Sequence, residues 1–235
     1  MKGREQFASR IRALAQRATT ELDGAEAIDV IRWVDENLAG SYVVASSMKD
    51  AVLIDLAAQV RPGVHVMFVD TGYHFVETLG MRAAVAAQYD VTVIDVRPDH
   101  TPAEQDALLG KDLFVSQPDE CCRLRKVLPM SRALRGYCAW LTGIRRSDSV
   151  SRTHTPMVSY DERFGVLKVN PLVEWTDDRL QKYVTERGIL VNPLVYEGYP
   201  SIGCAPCTAL PQDGADSRSG RWVGHGKSEC GLHAS

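Results

Sequence analysis

The sequence predicts an α/β fold, one mostly parallel sheet with helices on both faces, and three observations carry that expectation. Short, apolar and partly β-branched runs recur along the chain: YVVA (42–45), HVMFVD (65–70), VTVIDV (91–96) and AWLTGI (139–144). The segments between them have helical periodicity and are long enough to serve as the crossovers that parallel strands require. With 235 residues, 45% of them hydrophobic and 24% charged, the chain has the composition of a globular protein and the length to bury one sizeable core. Residues 1–235 are therefore read as a single domain.

Taken in order, residues up to about 37 read as two amphipathic helices within an N-terminal section, 1–40. Ile11, Leu14 and Ala15 share one face of the first, and Ile28, Ile31, Val34 and Leu38 one face of the second. YVVA and HVMFVD enclose the helical segment DAVLIDLAAQV (50–60), which makes a βαβ unit. A helix over 74–88 leads to VTVIDV, and a helix rich in Arg and Leu leads to AWLTGI. LKVNPL (167–172) reads as a further strand. WTDDRLQKYVTERG (175–188) reads as a helix capped by Thr176 and stopped by Gly188. Ligands of such sheets sit beyond the carboxyl ends of the strands, so residues 46–50, 70–73 and 143–146 are the expected site positions.

From Asn192 onward the composition turns to Gly, Pro, Ser and Cys with little periodicity. Residues 208–235 are expected to form a mobile tail. The N-terminus alternates charge and apolar residues, unlike a signal peptide, and no stretch approaches a membrane span, so a cytoplasmic protein is expected. A net charge of -3 gives no global field for nucleic acid.

Six cysteines in a reducing compartment point to metal binding or catalysis rather than to a disulfide framework. Cys121 and Cys122 are adjacent, and Cys204 and Cys207 form a CxxC. Four thiolates suit a [4Fe-4S] cluster or a structural zinc, and spacing alone does not choose between them. The CxxC lies in a Gly/Pro-rich stretch with no clear helix behind it, which argues against a thioredoxin-type redox pair. Adjacent side chains on a helix diverge, so Cys121 and Cys122 reach one centre only through local distortion or if the centre is larger than one ion, and a cluster fits that better. Cys138, at the start of an apolar run, reads as packing. Cys230, in SECGLHAS near Lys227 and His233, is either an idle tail thiol or a nucleophile favoured by positive neighbours.

CCRLRK (121–126), SIGCAPC (201–207), RSGRW (218–222) and KSECGLH (227–233) together resemble the bacterial iron–sulfur adenylyl-sulfate reductases of sulfate assimilation, actinobacterial members in particular, from about Ser41 to the end. The resemblance implies a PP-loop fold, the adenine nucleotide α hydrolase-like type, with a nucleotide across the carboxyl edge of the sheet. It implies that Cys121, Cys122, Cys204 and Cys207 hold one [4Fe-4S] cluster per subunit and that Cys230 is the catalytic nucleophile. Lys126, Arg218 and Arg221 match family positions at the sulfate and phosphate ends of the substrate. Ser46, Ser47, Thr71, Gly72, Gly143, Arg145, Arg146, Arg152 and His233 are the further expected substrate contacts. Hydrolase relatives carry SGGxDS after the first strand, whereas this chain has SSMKDA (46–51), with no glycine to admit a pyrophosphate, and that removes the expectation of ATP cleavage.

The activity so implied is thioredoxin-dependent reduction of adenosine 5′-phosphosulfate (APS) to sulfite and AMP through an S-sulfocysteine on Cys230. The alternative is the 3′-phosphorylated substrate, PAPS, whose specific relatives usually lack the two cysteine pairs. A zinc-stabilised RNA-thiolating enzyme would want an intact SGGxDS loop and a basic surface. An iron–sulfur electron carrier would have no need of Cys230 or RSGR.

Overall fold

The computed structural model describes residues 2–212, 216–225, 227 and 229–233. Two helices, α1 (Lys2–Glu21) and α2 (Ala27–Leu38), precede strand β1 (Tyr42–Ser46). Helix α3 (Val52–Val60) links β1 to β2 (Val64–Val69), and α4 (Val76–Gln88) links β2 to β3 (Val91–Val96). Three short helices follow, α5 (Pro102–Leu109), α6 (Leu113–Ser116) and α7 (Pro118–Cys122), then a π-helical turn (Arg123–Val127) and α8 (Leu128–Ala133). Strands β4 (Ala139–Thr142), β5 (Val158–Asp161) and β6 (Val166–Val169) and helix α9 (Asp177–Arg187) complete the regular elements. The six strands lie in the order β3-β2-β1-β4-β6-β5. All neighbours are parallel except β5 and β6.

Alternation along the strands divides the apolar residues between two cores. Tyr42 and Val44 of β1, with Phe68 and Leu141, face the larger one, which Ile11, Val30, Ile31, Val34 and Ile54 fill from the helices. Val43, Met67 and Trp140 face a smaller core closed by Met130 and Leu134. Burial on both faces explains why these strands read as continuous apolar runs.

Two elements differ from the sequence expectation. The strand expected over 167–172 ends at Val169, because Asn170 starts a turn in which the Val173 amide donates to the Asn170 carbonyl. Its antiparallel partner β5 was not anticipated. That hairpin turns on Asp161, whose carboxylate accepts the amides of Arg163 and Phe164, and on Gly165 at φ +70°. The Arg- and Leu-rich helix is also not one α-helix. Pro129 has no amide to donate and crowds the carbonyl four residues earlier, and just upstream the ladder widens, with the Leu128 amide reaching the Arg123 carbonyl. The widened turn follows Cys121 and Cys122 directly. No helix among the described residues is long and apolar enough to cross a membrane.

Candidate active site

A cleft of about 610 Å3 opens at the carboxyl ends of β1, β2 and β4. Ser46 and Ser47 line it at the exit of β1. The turn there is left-handed at Met48 (φ +61°) although no glycine is present; the Met48 side chain is fully buried, and its amide donates to the Ser46 hydroxyl. Asn192, fully buried, pins this turn from the far side. Its side-chain amide donates to the Met48 carbonyl at 3.0 Å, and its own backbone amide donates to the Lys49 carbonyl at 2.9 Å.

Thr71 lines the cleft from the exit of β2, and Gly143 and Arg145 do so from β4. Arg145 is buried and bridges Asp148 and Asp177, while its Nη1 has no hydrogen-bond partner among the described residues. Arg152 follows, held by Asp148 at 3.1 Å. Gly72 and Arg146 are not brought to the cleft wall. The Gly72 amide donates to Asp70, and a Cβ at Gly72 would meet Arg125 and Pro102. Arg146 turns away to Glu174 and to the Thr155 carbonyl.

The four paired cysteines converge from two directions. The α7 end and the π-helical turn bring Cys121 and Cys122, and the loop after Ile202 brings Cys204 and Cys207. All four line one small cavity beside the cleft. Burial and the neighbouring thiols push Cys121 up to about 11, and burial with the Cys204 charge does the same to Cys207. Burial opposes ionisation of Cys204 as well, but Lys126, the Thr71 hydroxyl and Arg221 overcome it and hold that thiol below its ordinary value. Among the described residues, Lys126 is the one that lines both the cysteine cavity and the cleft. Burial disfavours its charge, yet Cys204, Cys230 and Cys122 together hold the ammonium above its ordinary value.

Arg221 is buried and fixed on three sides. Its Nε donates to the Cys207 carbonyl at 3.2 Å, its Nη1 reaches Ser201 at 3.4 Å, and the guanidinium lies 4.5 Å from the Trp222 ring centroid. Gly203 forms the fourth side, since a Cβ there would fall 2.0 Å from Arg221 Nη2. Trp222 holds a left-handed backbone (φ +49°) while Arg218 and Lys227 also approach its ring, at 6.0 and 5.5 Å.

The C-terminal segment returns over the cleft rather than extending away from it, although 213–215, 226, 228 and 234–235 of the expected 208–235 tail lie outside the described residues. Glu229 pairs with Arg152 and Arg218, and Cys230 lines the cleft. Gly231, at φ +80°, makes a turn that L side chains rarely adopt, and a Cβ there would meet Val127 at 3.4 Å. Leu232 then packs on the smaller core, and His233 stacks on Trp140 with ring centroids 5.5 Å apart. Burial, helped by Lys168, Arg152, Arg218 and Lys126, holds His233 well below the usual imidazole range, so it is neutral near pH 7. Glu229, Trp140 and Trp222 went unnoticed in the sequence as cleft residues. Glu229 and Trp222 lie inside motifs that were recognised, and Trp140 was hidden in an apolar strand.

A family model described as the phosphoadenosine phosphosulfate reductase domain matches residues 41–210. The chain belongs to this reductase family. Within the family, it is 61% identical over 225 residues to an adenosine 5′-phosphosulfate reductase of Mycobacteroides abscessus, covering 96% of this chain and 95% of that one. It is 60% identical over 242 residues, with the same coverage, to one of Mycobacterium tuberculosis. Among solved structures it resembles a phosphoadenylyl-sulfate reductase from Candida auris in complex with phosphate. The TM-score is 0.71 at 27% identity, covering 83% of this chain and 96% of that one. The Candida glabrata FMN adenylyltransferase, at 12% identity and a TM-score of 0.56 over 88% of this chain and 74% of that one, shares the fold alone. The reductase fold is thus the PP-loop type, with the cleft at its expected edge.

Proposed function

We propose that this chain reduces adenosine 5′-phosphosulfate to sulfite and AMP. The observation that carries the reading is a cleft of nucleotide size lined by one cysteine among the described residues, Cys230, together with Lys126, Arg152, Arg218 and Arg221. A thiolate and a sulfonate would repel by about 4 kcal/mol at ~4 Å for an effective dielectric near ~20, so countercharge is a requirement of the chemistry. Guanidinium forks match the oxygens of sulfate and phosphate.

In the first step the Cys230 thiolate attacks the sulfonate sulfur. An S–S bond forms, the S–O bond to the phosphate breaks, and its electron pair leaves on AMP. In the second, a thiolate of an external dithiol such as thioredoxin attacks the Cys230 sulfur, and sulfite departs with the electron pair of the S–S bond. The second thiol of the dithiol resolves the mixed disulfide, so the dithiol is oxidised and the sulfur is reduced by two electrons. Cys121, Cys122, Cys204 and Cys207 fit a [4Fe-4S] cluster, since four thiols from two separate segments line one cavity, the usual ligand complement of such a cluster. When bound, it supplies a compact charged centre that joins the two cysteine-bearing segments and tunes the field at Lys126.

The test is sulfite release from the anaerobically purified protein with a thioredoxin system, comparing APS with PAPS. APS is expected to be preferred by at least tenfold in kcat/KM. A preference for PAPS would reverse the substrate reading. Gly203→Ala should displace the Arg221 guanidinium and lower kcat/KM by about 10–100-fold while the thermal midpoint moves little. Unchanged kinetics in that variant would mean that Arg221 is not held for the substrate.

A further inference from the structure

A carboxylate occupies an arginine fork in the cleft. Glu229 Oε1 accepts from Arg152 Nε at 2.9 Å. Its Oε2 accepts from Arg152 Nη2 at 3.2 Å and from Arg218 Nη2 at 3.1 Å. All three side chains are nearly buried, at 14%, 12% and 15% exposure for Glu229, Arg152 and Arg218, and all three line the cleft. The carboxylate therefore satisfies the arginine fork with two oxygens, in the manner of one edge of a sulfate or phosphate.

We propose that Glu229 is an internal stand-in for the substrate's oxyanion. It holds the Arg152–Arg218 fork while the cleft is empty of nucleotide, and the phosphosulfate displaces it on binding. The proposal rests on reading the cleft as a phosphosulfate site. Three features favour exchange over coexistence. A carboxylate retained beside a doubly anionic ester would leave three negative charges on one fork, and the same donors cannot serve both. The fork also keeps its shape when Glu229 leaves, because Arg152 Nη1 remains on Asp148 at 3.1 Å and Arg218 Nη1 remains near Ser201 at 3.5 Å. Finally, Gly231 gives the chain a turning point directly after Cys230, while Leu232 and His233 stay seated on the smaller core and on Trp140.

Glu229 is thus a positioning residue that acts through the two arginines. Substrate binding and release of residues 229–230 become one coupled event, and the Cys230 thiol is freed to approach only when an oxyanion fills the fork. Departure of AMP and sulfite lets Glu229 return, which favours product release at the expense of substrate affinity.

The experiment uses inorganic sulfate as the probe on the full-length protein, with its cluster if it carries one. Sulfate affinity is measured by calorimetry, and hydrogen exchange is followed in peptides covering 216–233. For the natural protein, saturating sulfate should speed exchange in the tail. In Glu229→Gln, tail exchange should be fast without sulfate and insensitive to it. That variant should bind sulfate about tenfold more tightly and lower KM for APS without raising kcat. Glu229→Asp, which keeps the charge but shortens the reach, should fall between the two and guards against a folding defect, as does an unchanged melting midpoint. Weaker sulfate binding by Glu229→Gln, tail exchange in the natural protein that ignores sulfate, or no sulfate binding by either protein would each overturn the proposal. Sulfite release from APS with a sulfate-insensitive tail sinks this inference and leaves the reductase reading standing. A sulfate-sensitive tail without sulfite release does the reverse.

Discussion

Cys230→Ser is expected to abolish sulfite release, lowering turnover by about 10^4-fold or more, because an alcohol near neutral pH offers almost none of the soft nucleophile that attack at sulfur requires. The substitution changes one half-buried atom in a segment anchored independently by Glu229, Leu232 and His233. The protein should therefore fold, keep the absorption near ~400 nm expected of the proposed cluster, and bind nucleotide. Incubated with APS and no reductant, the natural protein should gain one sulfo group by mass spectrometry and the serine variant none. Appreciable turnover by the variant, or a sulfo group found on another cysteine, would remove Cys230 from the mechanism.

Lys126→Met carries the second largest effect. The side chain lines both the cysteine cavity and the nucleotide cleft, and its ammonium is favoured by thiols on both sides. Removing it takes away a fixed charge where the sulfonate and thiolate must meet, and loss of one such preorganised group costs about 10^2–10^3 in rate. Methionine preserves most of the volume, so the packing of the π-helical turn should survive. The expected result is a kcat/KM loss of that size with the iron of the proposed cluster retained. Lys126→Arg should recover little, because a planar fork does not replace a point charge between two walls. A loss of less than tenfold in Lys126→Met would show that the shared position is architectural.

The centre of the parallel sheet was legible because β1, β2 and β4 are largely buried, which selects unbroken β-branched and apolar runs, whereas the edge strand β3 is only partly buried and reads through its β-branched residues. The helix α9 was equally plain: Thr176 caps it by accepting the Arg179 amide, and Gly188 ends it at φ +61°. The edge hairpin was harder. Strand β5 is four residues long and only its first is fully buried, so it lacks a strong apolar signal, and its turn depends on Asp161 and Gly165 acting together. The break before β4 was illegible for a different reason. Arg and Leu spacing fits a helix throughout, and the π-helical turn beside Pro129 depends on hydrogen-bond geometry rather than periodicity.

The sequence by itself determined the α/β class, the two cysteine pairs, the basic RSGR segment and the presence of a reactive-looking thiol near the end, because each is a matter of residue type and local spacing. The tertiary structure decided which of these meet. It put Lys126 in both walls, wedged Arg221 against Gly203, turned Arg146 outward, and brought Glu229 onto Arg152 across 77 residues of chain. Contacts of that separation follow from strand order and from which core a tail residue such as Leu232 finds. Neither is written in any local pattern, since burial energy rewards apolar area without specifying its partner.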